Sequence, residues 1–163
     1  ATTARPTRMR SRPLASYVSR IRNNMSVPLE KREPGTLDMN TKARQLCTYT
    51  LQITVNDKNF PAEQDAFTQK IRDAALEIHL LCWEAINIKV DKSINRYNRR
   101  IKLLDIASGK CVKLAAMIDI AKPLFHLSSK RVTYWSDLIT DVFNAIQQQR
   151  LDDIKTLKPP QLQ

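Results

Sequence analysis

The sequence predicts an all-α protein: an antiparallel up-down four-helix bundle preceded by a basic N-terminal arm. Three observations carry this expectation. Only two glycines, Gly35 and Gly109, occur in 163 residues, whereas sheet proteins need glycine at many of their turns. Apolar residues recur at spacings of three and four through four successive segments. The breaks between those segments are short, which favours antiparallel neighbours.

The segments follow in order. Residues 1–37 are rich in Arg, Pro and Ser, lack sustained periodicity and read as a flexible arm, with a short helical turn at 14–21. The first helix is expected over about 40–55, with Ala43, Leu46, Cys47, Thr50 and Ile53 on its apolar face. The second starts near Pro61, a favoured first helical position, with Glu63 and Asp65 at its positive end. Its stripe is Phe67, Ile71, Ala74, Ala75, Ile78, Cys82, Ala85 and Ile86, and it runs to about Lys89. The third follows Asp91 or Ser93, either of which can cap it. It buries Tyr97, Ile101, Leu104, Ser108, Cys111, Ala115 and Ile118 and stops at Pro123. Ser128 caps the fourth, with Leu127 before the cap and Val132 after it forming a hydrophobic staple. Its stripe continues through Trp135, Ile139, Val142, Phe143 and Ile146. The domain organisation is thus an arm at 1–37, a bundle at 38–153 and a tail at 154–163. Helices of about 25–30 residues would make the bundle about 40 Å long.

Composition narrows the function. With 27 Lys+Arg against 16 Asp+Glu the formal charge is +11, which favours a polyanionic partner, RNA or DNA ahead of an anionic membrane. Residues 40–153 carry 17 basic and 13 acidic side chains, a net of +4, so the full figure overstates the bundle. Neither a dinucleotide fingerprint nor a P-loop can be written with two glycines. Cys47, Cys82 and Cys111 are far apart and odd in number, each on an apolar face. They read as reduced core residues, which points to the cytoplasm and away from zinc or disulfides. No apolar run approaches the roughly 18 residues of a membrane span. The first 24 residues hold six arginines and no acid. That composition fits an organellar transit peptide, a basic arm, or sequence upstream of a start at Met25, and the arm is given little functional weight.

The third helix has a second character. Away from its core stripe lie Lys92, Arg96, Arg99, Arg100 and Lys102, continued by Lys110 and Lys113. These residues, with Lys130, Arg131 and Tyr134 opening the fourth helix, form the candidate nucleic-acid surface. The same outward arc carries Leu103, Ile106, Leu114 and Met117. Four apolar residues on one outer face suggest a subunit interface and a homo-oligomer, and Ala107, Gly109 and Ala116 would allow close helix approach.

Catalytic patterns are absent. Asp73 and Glu77 near His79 read as a surface carboxylate pair beside a lone histidine, and His126 as a loop or capping residue. Scattered carboxylates do not form the paired Glu-x-x-His of di-iron bundles. No nucleophile–base arrangement has a local signature, and no metal or cofactor is expected. Among the aromatics, Tyr97 and Trp135 fall at core spacing and Tyr134 is the better candidate for exposure. No recognition-helix pattern appears, so binding through phosphates alone would be salt-dependent and weakly specific.

Several short stretches carry a resemblance. Asn59-Phe60-Pro61 precedes the long second helix, which contains Gln69–Ile78 (QKIRDAALEI). Residues 96–100 of the third helix, and 128–135 with Arg131, Tyr134 and Trp135, complete the set. Over about two-thirds of its length the chain resembles the four-helix-bundle family of proteins encoded in ribosomal RNA intervening sequences. That family includes the accessory variability determinant of diversity-generating retroelements. The resemblance implies an antiparallel bundle and, for the retroelement protein, a basic homopentamer that binds nucleic acid and a reverse transcriptase. The basic arm departs from the family's compact form.

The leading expectation is therefore a non-enzymatic, oligomeric, nucleic-acid-binding accessory protein, serving a reverse transcriptase if the resemblance extends that far. The alternative is a protein-interaction or structural bundle without a nucleic-acid role, whose binding would be insensitive to salt.

Overall fold

The computed structural model describes residues 34–56 and 58–162, with side chains described from residue 38. Among these residues the secondary structure is entirely helical. Helix α1 spans Pro34–Ile53, α2 Asp65–Asn87, α3 Ile94–Leu124 and α4 Ser129–Thr156. Short 3₁₀ turns at Ala62–Gln64 and Pro160–Leu162 precede α2 and follow α4. Each helix packs against its neighbours in the chain, and α1 against α4 closes the cycle, giving the expected four-helix bundle. No described helix is long and apolar enough to cross a membrane.

Local chemistry sets the helix ends. The Ser93 hydroxyl accepts from the Arg96 amide at 3.3 Å, and the Ser128 hydroxyl from the Arg131 amide at 3.2 Å. Each satisfies one otherwise orphaned N–H of a first turn. Leu127 and Val132 are both buried, as the staple requires. At the end of α3 the Leu127 amide reaches back to the Lys122 carbonyl at 3.0 Å, with His126 left-handed at φ 51°. This is a Schellman closure with histidine where glycine is usual. Pro123 sits one residue before the end of α3, so the bond its missing N–H removes lies in the last turn of the helix. Between α2 and α3 the Ser93 amide bonds the Val90 carbonyl at 2.7 Å, and Asp91 and Lys92 are both left-handed, at φ 43° and 64°. The turn is of the I′ kind without its usual glycine.

Several boundaries differ from the sequence expectation. Helix α1 begins at Pro34, so residues 34–37 are helical rather than part of the arm; the first turn of the second segment is 3₁₀; α3 runs one residue past Pro123; and α4 runs to Thr156, into the stretch read as a tail. The expectations for residues 1–33 lie outside the described residues.

The core runs the length of the bundle. Trp135, Met39, Leu46, Ile71, Ile78, Leu104, Leu114, Ile118 and Ile146 are fully buried. The Trp135 indole donates to the Thr50 hydroxyl at 2.9 Å, its ring meeting Tyr49 and Phe60 edge-on, so its one polar atom is satisfied inside the core. Arg72 closes the end of α1, donating to the Thr54 hydroxyl at 2.9 Å and the Thr54 carbonyl at 2.6 Å.

Candidate nucleic-acid interface

The basic residues of α3 divide into three groups. Arg100 is buried, and this corrects its assignment to the phosphate-facing set. Its Nε and Nη2 donate to the two carboxylate oxygens of Asp153 at 2.6 and 2.9 Å, and its Nη1 to the carbonyls of Ile86 and Ile88 at 3.2 and 3.3 Å. The Gln149 amide donates to the same carboxylate at 2.8 Å. Arg100 thus ties the end of α2 to α3 and α4, and its charge is spent inside the protein.

A second group is exposed or half-buried but engaged. Arg99 pairs with Glu84, Lys110 with Glu77 at 2.9 Å, and Arg96 with Asp91 at 3.5 Å. These carboxylates come from α2 and the turn, so a count of charges along α3 alone does not find them. Exposed pairs of this kind hold weakly and exchange with solvent ions.

The third group is exposed and carries no ion pair among the described residues: Lys92 in the turn before α3, Lys102, Lys113 and Lys122 on α3, and Lys130 on α4. Arg131 is half-buried, with its field on Tyr49, and Tyr134 is exposed with its ring 4.9 Å from that of Tyr49. Tyr97 and Trp135 are core residues, as their spacing predicts.

The apolar arc of α3 also needs correction. Leu114 is fully buried, and Leu103 and Met117 are partly buried against the core. Only Ile106 of the four remains exposed. Helix α3 packs against α2 on one flank and α4 on the other, so its buried arc is wider than one stripe. Ala107 lies in that buried arc, while Gly109 faces open space. Exposed apolar side chains instead include Val112, Ile120 and Leu124 on α3, and Leu76, Leu80 and Trp83 on α2.

The α2–α3 corner forms an open notch of about 320 Å³ lined by Asn87, Ile88, Lys89, Arg96 and Arg99. Lys89 and Trp83 were absent from the sequence-derived set. Lys89 lies beyond the last helical residue of α2. Trp83 lies off the core stripe of α2, exposed on the outer face with Leu76 and Leu80.

Burial pushes the Cys82 and Cys111 thiols up to about 12 and raises Cys47 as well, so all three stay protonated and unreactive at neutral pH. All are free and buried. Burial and the nearby Arg44 lower the His79 pKa, and its buried Nδ1 has no hydrogen-bond partner. Asp73 accepts from Gln69 and Glu77 serves Lys110, so neither carboxylate is directed at the histidine. No cluster of three or more metal-ligating side chains occurs among the described residues. Comparison with protein-family models, curated proteins and solved structures finds no match to this chain.

Proposed function

We propose that this protein is a non-enzymatic accessory factor that binds nucleic acid through the outer face of α3, working as a homo-oligomer. The observation that carries the reading is the set of exposed lysines, Lys92, Lys102 and Lys113, that no carboxylate neutralises among the described residues. Unpaired ammonium groups along α3 and the turn before it attract a polyphosphate backbone with little demand on base sequence. Lys130, at the start of α4, adds to the field. The resemblance to the retroelement accessory protein supports the same reading and suggests a reverse transcriptase as the protein partner.

Replacing Lys92, Lys102 and Lys113 together by Glu tests it on surface positions that leave the Arg100–Asp153 pair intact. RNA or DNA retention at low salt is expected to disappear while the helical circular dichroism signal stays. Neutralising the same three with Gln is expected to lower the salt slope of log K by about two to three. Unchanged retention in the triple Glu variant refutes the reading.

One observation favours a second reading, a protein-interaction bundle. Leu76, Leu80 and Trp83 stand exposed at helical spacing on α2, an apolar strip of the kind that partners cover. A partner held there would bind with little dependence on salt.

A further inference from the structure

Trp83 is 57 % exposed on the outer face of α2, with Leu80 equally open one turn before it. One turn after it stands Asn87, whose side-chain amide donates to the Trp83 carbonyl at 2.8 Å and which also lines the notch at the α2–α3 corner. Trp83 and the notch residue Asn87 are thus one turn apart on α2, about 6 Å along the helix axis.

The notch suits an anion. Lys89, Arg96 and Arg99 contribute to its wall, and the exposed pair of Arg99 with Glu84 opens for a phosphate to take its guanidinium. The carbonyls at the end of α2 would ordinarily repel a phosphate, but those of Ile86 and Ile88 are taken by Arg100 from inside. Helix α3 begins beside the notch with no acidic residue in its first turn; Ser93 caps one of its amides and Asp91 precedes it. Arg96 is held only by long contacts, to the Lys89 carbonyl at 3.4 Å and to Asp91 at 3.5 Å. A phosphate can replace both.

We infer that this corner is a single-nucleotide site for unpaired nucleic acid, with the phosphate over Lys89, Arg96 and Arg99 and the base stacked on Trp83. The inference rests on the nucleic-acid reading above and adds a preference for single strands. A base inside a duplex already has both faces covered and cannot offer one to the indole, whereas an unpaired base can. RNA and DNA share the required chemistry, since neither stacking nor phosphate contact involves the 2′-hydroxyl.

The two tryptophans make the test direct. Trp135 is fully buried, so quenching by a stacked base reports Trp83. The full chain is titrated with fluorescently labelled single-stranded RNA, single-stranded DNA and a duplex of equal length, following label anisotropy and tryptophan emission together. Both single strands are expected to quench emission and to bind about tenfold more tightly than the duplex. Trp83→Ala is expected to weaken single-strand binding about tenfold and erase the preference, with Trp83→Phe retaining most of it. The double variant Lys89→Glu, Arg96→Glu is expected to weaken binding and flatten its salt dependence. Anisotropy changes without quenching, or full affinity in Trp83→Ala, overturn the stacking site and leave nucleic-acid binding in place. A Trp83→Ala variant with altered sedimentation but unaltered affinity assigns the strip to protein contact and also overturns it. No anisotropy change with any of the three ligands at low salt removes both proposals.

Discussion

Arg100 uses one guanidinium to join three helices, and its neighbour Arg99 lies on the surface. Removing one member of a buried, hydrogen-bonded ion pair leaves the other charged and unsatisfied, at a cost of about 3–5 kcal/mol. Arg100→Ala and Asp153→Ala are each expected to lower the urea midpoint by an amount corresponding to that loss, while Lys102→Ala changes stability by less than about 0.5 kcal/mol. The sequence did not distinguish Arg100 from Arg99 and Arg96, because its carboxylate is supplied 53 positions away on another helix. Backbone conformation yields a second prediction at this scale. Lys92 and His126 hold left-handed conformations that a Cβ disfavours by about 1–2 kcal/mol. Glycine at either position is expected to raise the melting temperature, measured by circular dichroism, by several degrees in the His126→Gly variant and less in Lys92→Gly.

At the scale of the helix, the width of a buried arc depends on how many neighbours a helix touches. Leu114 faces the core although it lies off the central stripe of α3, and Ile106, read as its companion, does not. Leu114→Ala is expected to cost about 2–5 kcal/mol in chemical denaturation through the cavity it leaves, and Ile106→Ala under about 1 kcal/mol. The caps at Ser93 and Ser128, the staple and the central stripe of each helix were legible because each depends on residues within one or two turns. The start of α1 at Pro34 was not, since a Pro-Gly pair reads locally as a turn. The ion pairs of Arg99 and Lys110 were hidden for a different reason. Their carboxylates, Glu84 and Glu77, sit on α2, and only the packing of two helices brings them into register. Trp83 repeats with Leu76 and Leu80 on the outer face of α2, off the core stripe, and Lys89 lies beyond the helix end, so the candidate site became visible only as a surface.

At the scale of the molecule, the apolar residues left outside the bundle make assembly measurable. Light scattering at micromolar concentration is expected to give a mass well above the 18.8 kDa of one chain. Val112→Asp together with Ile120→Asp is expected to return it to one chain if α3 supplies the contact, with the helical signal unchanged. A monomeric mass for the unaltered protein refutes the oligomer. The sulfur chemistry gives the same interior a clock. Because the thiols of Cys82 and Cys111 keep their protons to about pH 12 and lie under packed helices, a thiol-labelling reagent at neutral pH must wait for the chain to open. The rate of labelling then counts excursions of the native protein out of its folded basin, and does so without denaturant.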